Sequence, residues 1–461
     1  MKVRCILLAI MAVAIFSSRE AALAQAPAPA PPTVTVPSVS PLTVPSLPPG
    51  AASPVPTTRA LSLKEAVAIA LQNQPQVALS SAGVESAQGR TRQATSGLLP
   101  SLSISASANR SGPGGGASQA GGAGSSTSYS TDLSADQLLY DFGRTPAIVA
   151  QARSQEESAR QGLNQVRQEV INQVKQAYYV MLQNQRLVEV QQRNLTDQQA
   201  HLDLTKAFLE QGKAPRSNVV RFETAVADAV FTLATAENAA ALSRVTLNLA
   251  MGVDARTPTR VEETEEALSA LPKPEELVAH ALSTRHDVGQ ARADLKSAEE
   301  GLRSARVGNW PALVATARYG LTGTDFPPDN EGWGYGAALQ WPIFDSGLTA
   351  GRTQQAKAAI LSARAALRQV EQTVGSDVIQ AYLNVQTAEQ KITASQAEVA
   401  NAEEGLRLAT GRYQAGVAAY IEVIDAETAL VTAQTNRVNA LYGLSTARAA
   451  LARALGEEMV P

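Results

Sequence analysis

The sequence predicts a mainly α protein with a transmembrane β-barrel. It reads as one unit of long coiled-coil helices written twice, with four barrel strands in each protomer. Three observations carry this. Long stretches place apolar residues at spacings of three and four, the helical period. Four short segments alternate apolar and polar residues instead, the strand period. The chain also matches itself at two constant offsets, the mark of an internal duplication.

The first residues read as an export signal. Lys2 and Arg4 make a positive start, Ile6 to Phe16 is a short apolar core, and Ala22-Leu23-Ala24 is a small-x-small cleavage site. The apolar run is well short of the ~20 residues that a spanning helix needs. Residues 1–24 are therefore expected to be a cleaved signal peptide. Cys5, the sole cysteine, lies inside it, so the mature chain has no thiol, disulfide or cysteine metal ligand. Residues 25–60 are rich in Pro, Ala, Val, Thr and Ser without periodicity, and read as an extended tether or a plain leader. Lys+Arg number 39 against Asp+Glu 42, and no basic excess points to nucleic acid.

The duplication organises the rest of the chain. Tyr140-Asp141-Phe142-Gly143 resembles Phe344-Asp345-Ser346-Gly347, an offset of 344 − 140 = 204. Gln176-Ala177-Tyr178 returns as Gln380-Ala381-Tyr382, Glu223-Thr224-Ala225 as Glu427-Thr428-Ala429, and Gly252 as Gly456, all at the same offset. Upstream the offset is 211: Glu65 matches Glu276, Ala70-Leu71 matches Ala281-Leu282, and Pro100 matches Pro311. The repeats are assigned to 61–252 and 274–456, with a linker at 253–273 and a tail at 457–461.

Each repeat is expected to contain a short helix (62–73, 274–284) and a medium one (76–97, 287–308). A very long helix (144–210, 348–414), a tight turn at Gly212 or Gly416, and a last helix (217–250, 420–455) complete it. Val166, Val170, Val174, Ala177, Tyr178 and Met181 keep helical spacing, and Val370, Val374, Val378 and Tyr382 repeat it. Asp141 and Asp345 suit N-caps. A helix of ~65 residues is about 100 Å long, which no compact globule needs.

The strands are expected at about 100–112, 128–140, 311–322 and 332–344. Leu102, Ile104, Ala106 and Ala108 alternate with serines. Trp333, Tyr335, Ala337, Leu339 and Trp341 share one face, with Gly334, Gly336 and Gln340 on the other. Alternation over ~10 residues with aromatics at the ends suits strands between lipid and a polar lumen. An ordinary antiparallel sheet over a soluble core would alternate too. All three tryptophans (Trp310, Trp333, Trp341) flank or lie within these segments, as membrane-interface anchors would. Four strands cannot close a membrane barrel, so several protomers must share one; three would give twelve strands.

On the duplication, the strand–loop–strand inserts and the Tyr/Phe-Asp-x-Gly junctions, the chain resembles the TolC family of outer-membrane efflux proteins. The resemblance covers about residues 60–456, and its most specific match is Arg412-Tyr413-Gln414-Ala415-Gly416 followed by Ile421-Glu422-Val423-Ile424-Asp425-Ala426. It implies a homotrimeric exit duct of a tripartite efflux or type I secretion system. A twelve-stranded barrel in outer-membrane lipid would continue into a helical barrel across the periplasm. Cargo would come from an inner-membrane pump (RND or ABC type) through a periplasmic adaptor protein. Residues 253–273 would join a girdle around the helices. A periplasmic coiled-coil adaptor is the alternative reading of the helices.

The resemblance also implies where function sits. Glu422 and Asp425, three apart on one helix face, match acidic-ring positions at the entrance; a solvated acidic patch at a helix start is the other reading. The first repeat departs from the pattern, with Asn218 and Arg221 at the equivalent positions and Lys213 and Arg216 nearby. Arg216 or Arg221 is therefore expected to tie to Glu422 or Asp425 across neighbouring coiled coils. Tyr413 matches a gate position or serves helix packing. The turns Gly212-Lys213-Ala214 and Gly416-Val417-Ala418 match adaptor-docking loops, and either glycine also suits a helix C-cap. No enzyme is expected. His280 and His286 lie six apart on different helix faces, and no phosphate loop or nucleophile elbow appears. No catalytic residue, cofactor or metal site is assigned.

Overall fold

The computed structural model describes residues 60–111, 126–212, 215–263, 272–415 and 417–457. The expected signal peptide, nearly all of the tether, Lys213, Ala214, Gly416 and the middle of the inter-repeat linker lie outside them. The helices are α1 (Leu63–Asn73), α2 (Pro75–Ser96), α3 (Arg144–Glu210), α4 (Arg216–Ala250), α5 (Pro274–Thr284), α6 (His286–Arg306), α7 (Leu348–Gln414) and α8 (Ile421–Leu455). The strands are β1 (Ser101–Ser111), β2 (Ser126–Tyr140), β3 (Ala312–Gly323) and β4 (Asn330–Gln340). Every expected element is present. The largest departure is β4, which stops at Gln340 rather than 344, because Pro342 has no N–H to continue a ladder.

The chain divides into two compact units. Among the described residues, one comprises 89–111, 126–152 and 299–358; the other comprises 60–88, 153–212, 215–263, 272–298, 359–415 and 417–457.

The first unit holds a single antiparallel sheet in the order β1-β2-β3-β4. Its register sorts the side chains by chemistry. Ile104, Leu133 and Tyr319 are direct cross-strand neighbours on one face, and Tyr319 also faces Trp333. On the other face Ser103 bonds Ser134 at 2.7 Å, Ser107 bonds Ser130 at 2.9 Å, and Ser111 bonds Ser126 at 2.8 Å. Gly320, Gly332, Gly334 and Gly336 continue that face without bulk.

Two junctions lead from this sheet into the long helices, and they are copies. Asp141 accepts from the backbone N–H of Gly143 at 3.2 Å and of Thr145 at 2.6 Å. Asp345 does the same for Gly347 at 3.1 Å and Thr349 at 2.8 Å. Each carboxylate thus caps its helix from three residues before it rather than from the N-cap position, satisfying at Thr145 or Thr349 a donor that a helix start leaves open. Phe142 (φ 57°) and Ser346 (φ 52°) sit in the left-handed region, each followed by a glycine at φ 89° or 88°. Phe142 is held there by Tyr140 and Trp310, with ring centroids 4.8 and 5.2 Å away.

Two of the cores in the second unit are built at equivalent positions. In one, Leu63, Ala66, Val67 and Ala70 of α1 pack on Val170, Val174 and Ala177 of α3. In the other, Leu277 and Ala281 of α5 pack on Val374, Val378 and Ala381 of α7. Ser62 and Glu65 cap α1 reciprocally, at 3.3 and 3.0 Å. The start of the inter-repeat linker is tied down. The buried Tyr178 hydroxyl lies 2.9 Å from the Leu61 carbonyl and 2.5 Å from that of Glu262. The Asn248 amide donates to the carbonyls of Ala255 and Thr257 at 3.1 and 2.9 Å. The repeats end on Gly252 (φ 70°) and Gly456 (φ 77°). At Gly252 a Cβ would meet the Asn73 backbone at 2.9 Å, so both conformation and space require glycine there.

Candidate functional site

The helical hairpins α3–α4 and α7–α8 each end in a short turn, and the expected site residues cluster there. In the first turn Gly212 takes φ 67°, and its N–H donates to the Leu209 carbonyl at 2.9 Å. Pro215 then precedes α4 in an extended conformation. An N–H at this place would have no acceptor inside the helix, so proline loses nothing by lacking one. In the second turn the Val417 N–H donates to the Arg412 carbonyl at 3.0 Å, and Tyr420 leads into α8. Val417 is 70% exposed.

The acid pair sits where the sequence placed it, in the first turns of α8. Glu422 is half-buried and Asp425 is exposed. Their partners differ from expectation. Glu422 Oε2 lies 2.9 Å from Nη1 of Arg412, across the second turn from its own hairpin. The last turn of α7 thus carries the cation and the first turn of α8 the anion, the arrangement that both helix dipoles favour. Arg216 and Arg221 are exposed, and neither has an acid partner among the described residues; Asp425 has no cation there. One chain therefore does not form the expected Arg–acid tie. Both its components remain available at the surface. Asn218 is half-buried. Tyr413 packs edge-on against Tyr420 with centroids 4.7 Å apart, which is the helix-packing reading of that residue.

Behind the turns lies a cluster that the sequence alone does not reveal. Glu427 of α8 is 7% exposed. A carboxylate so buried needs partners, and it has two from α3. One oxygen meets Nε2 of His201, and the other accepts from Nε2 of Gln198 at 3.1 Å. Phe222 of α4 stacks on His201 with centroids 6.0 Å apart and meets Tyr420 edge-on at 4.7 Å. The Tyr420 hydroxyl is buried and finds no partner among the described residues. Burial, then the nearby charge of Glu427, pushes that phenol above its ordinary range. The hydrogen bond that His201 donates to Glu427 raises its imidazole above the usual value, against the effect of burial. His201 and Glu427 are 427 − 201 = 226 residues apart, so only the topology brings them together.

The sheet carries the expected aromatic anchors in exposed positions. Trp310, Trp333 and Trp341 are 49%, 74% and 58% exposed. Trp333 stacks on Tyr335, with 7° between the ring planes. Trp310, Tyr140, Phe142, Trp341 and Phe344 gather at the helix-junction end, while Tyr129 and Phe326 meet at 5.7 Å at the other end. Aromatic residues thus stand at both ends of the apolar face, the positions expected of membrane-interface anchors.

A family model described as outer membrane efflux protein matches residues 66–253 and 277–457. The toluene efflux pump outer membrane protein TtgC of Pseudomonas putida is 24% identical over 391 residues, 83% of this chain and 80% of that one. The cation efflux system protein CusC of Escherichia coli is 23% identical over 392 residues, 83% of this chain and 84% of that one. Among solved structures, the outer membrane protein VceC of Vibrio cholerae has the same fold. Its TM-score is 0.76 at 23% identity, covering 86% of this chain and 96% of that one.

Proposed function

The chain belongs to the outer membrane efflux protein family, and from that premise we propose that it is one of three identical protomers of a passive exit duct. One observation carries the reading. The sheet has an apolar, aromatic face, a serine- and glycine-rich face, and two open edges, β1 and β4. Open edges are not tolerated in lipid, where each unpaired N–H or C=O costs several kcal/mol. Setting β4 of one copy against β1 of the next removes every edge, and three copies give twelve strands. Ser103, Ser107, Asp132, Asp136 and Arg318 then line the lumen, and Trp333 and Tyr335 face lipid.

In this reading the helices of three copies form a periplasmic tube, girdled by residues 253–273. Residues 1–24 are removed on export, and 25–60 tether the mature chain. A periplasmic adaptor docks on the turns Gly212-Lys213-Ala214 and Gly416-Val417-Ala418. An inner-membrane pump of the RND or ABC type delivers the cargo, so the duct performs no chemistry itself. Glu422 and Asp425 of three copies gather six carboxylates at the entrance and favour cations there. Arg412 already holds Glu422, which leaves Asp425 to meet Arg221 or Arg216 of the next copy.

Single-channel conductance in planar bilayers tests this. The expected result is a cation-selective pore that multivalent cations block from the periplasmic side, with block lost in Glu422→Ala/Asp425→Ala. A protein that stays soluble without detergent and never conducts would overturn it.

A further inference from the structure

We propose that His201 and Glu427 form a clamp between the two hairpins of each protomer, and that this clamp positions Glu422 and Asp425 at the entrance. The inference rests on the channel reading. Glu427 lies two residues beyond Asp425 on α8, so whatever fixes Glu427 fixes the acid pair. It is fixed from the other hairpin. His201 and Gln198, one turn apart on α3, take one carboxylate oxygen each. Phe222 of α4 and Tyr420 at the head of α8 close the contact with their rings. Loss of His201 leaves a buried carboxylate with a single partner, which a packed interface resists.

The clamp has no copy. The repeat partner of His201 is Gly405, at 201 + 204 = 405, and the partner of Glu427 is Glu223, which is exposed. The bond therefore joins the first hairpin to the second in one sense only. A shallow cleft of about 260 Å³ runs beside it, lined by Asp197, Gln198, His201, Thr410 and Glu427 among others. Water and protons reach the imidazole, which is about a quarter exposed.

Titratable and charged groups face His201 from two elements. α3 supplies Asp197 and Arg193, α8 supplies Glu427 with Tyr420 at its head, and from α7 Tyr413 stands behind Tyr420, in contact with that ring and not with the imidazole. The α4 neighbour, Phe222, does not titrate. Glu427 raises the imidazole's proton affinity in the clamped state. A released, hydrated imidazole titrates near its ordinary value of about 6.5. By linkage, the charge-assisted part of the clamp is complete below that value and fades as pH rises through the raised one. The hairpins are held tightest in mild acid and spread toward alkaline pH.

The test uses the full chain in detergent, spin-labelled at Glu210→Cys and Val417→Cys, one exposed position on each hairpin, between about pH 5.5 and about pH 8.5. The close-to-spread population ratio of the wild type is expected to fall about tenfold across that range, the difference between a charge-assisted and a neutral hydrogen bond. Single-channel open probability rises with it. His201→Gln keeps a donor but cannot titrate, and Glu427→Gln removes the charge from the other side. Each flattens both profiles to within about twofold. Wild-type distances that do not move with pH, or a His201→Gln profile that follows the wild type, would overturn the clamp. If the wild type never conducts, the channel reading falls instead, and the distances alone decide the clamp.

Discussion

The packed middles of the two repeats and their turns obey different rules. In the cores, Val170 and Val174 have Val374 and Val378 as their partners at an offset of 204, and all four are fully buried. At the turns the same offset pairs Asn218 with Glu422, Arg221 with Asp425, Arg216 with Tyr420, and His201 with Gly405. Packing tolerates little change of shape, so at these positions both copies keep valine. The turns face solvent and neighbours, where charge costs little and selects partners. Duplication supplied the scaffold, and the turns are where the two copies depart from it.

That contrast can be broken most forcefully in the cores. Leu247→Ala and its counterpart Leu451→Ala each empty a buried site, and each is expected to cost about 2–5 kcal/mol. Thermal denaturation of the detergent-solubilised protein reads both. Similar losses confirm that the cores are equivalent, and a large loss in only one repeat would show that they are not. A smaller effect separates the repeats at their tyrosines. Tyr178→Phe leaves the Glu262 carbonyl short of a donor and the Leu61 carbonyl with only the Glu262 N–H, and should cost about 1–3 kcal/mol. Tyr382→Phe removes a hydroxyl for which no hydrogen bond is seen among the described residues, and should be nearly neutral in the same measurement. The smallest effect lies at the turns. Arg412→Ala breaks an exposed ion pair and should change stability by less than about 1 kcal/mol. It frees Glu422, so cation block at the entrance should strengthen while the melting curve stays in place. A large loss of stability would make Arg412 part of the scaffold instead.

Legibility in the sequence follows the range of the forces. Helices and strands are readable to within one or two residues almost everywhere, because period and capping are local. Asp141 and Asp345 announce themselves by position alone. The acid pair Glu422 and Asp425 is readable, since three residues on a helix fix a shared face. Its partner is not. Charge at duplicated positions suggests Arg216 or Arg221, whereas Arg412 is nearer because the second turn folds it back. The His201–Glu427 contact leaves almost no trace, because its members lie in different repeats and the pairing does not recur. Its one clue is a histidine on a long helix where the other repeat has glycine.

The two long helices, α3 and α7, are each 67 residues. Their equality restricts how a gene for such a chain can drift. One inserted residue advances the far end of a helix by about 1.5 Å and turns it by roughly 100°. A change in one copy alone would set the two turns at different depths and facing different ways. Insertions and deletions in these helices should therefore be inherited in matched pairs, and each copy acts as the measuring rod for the other.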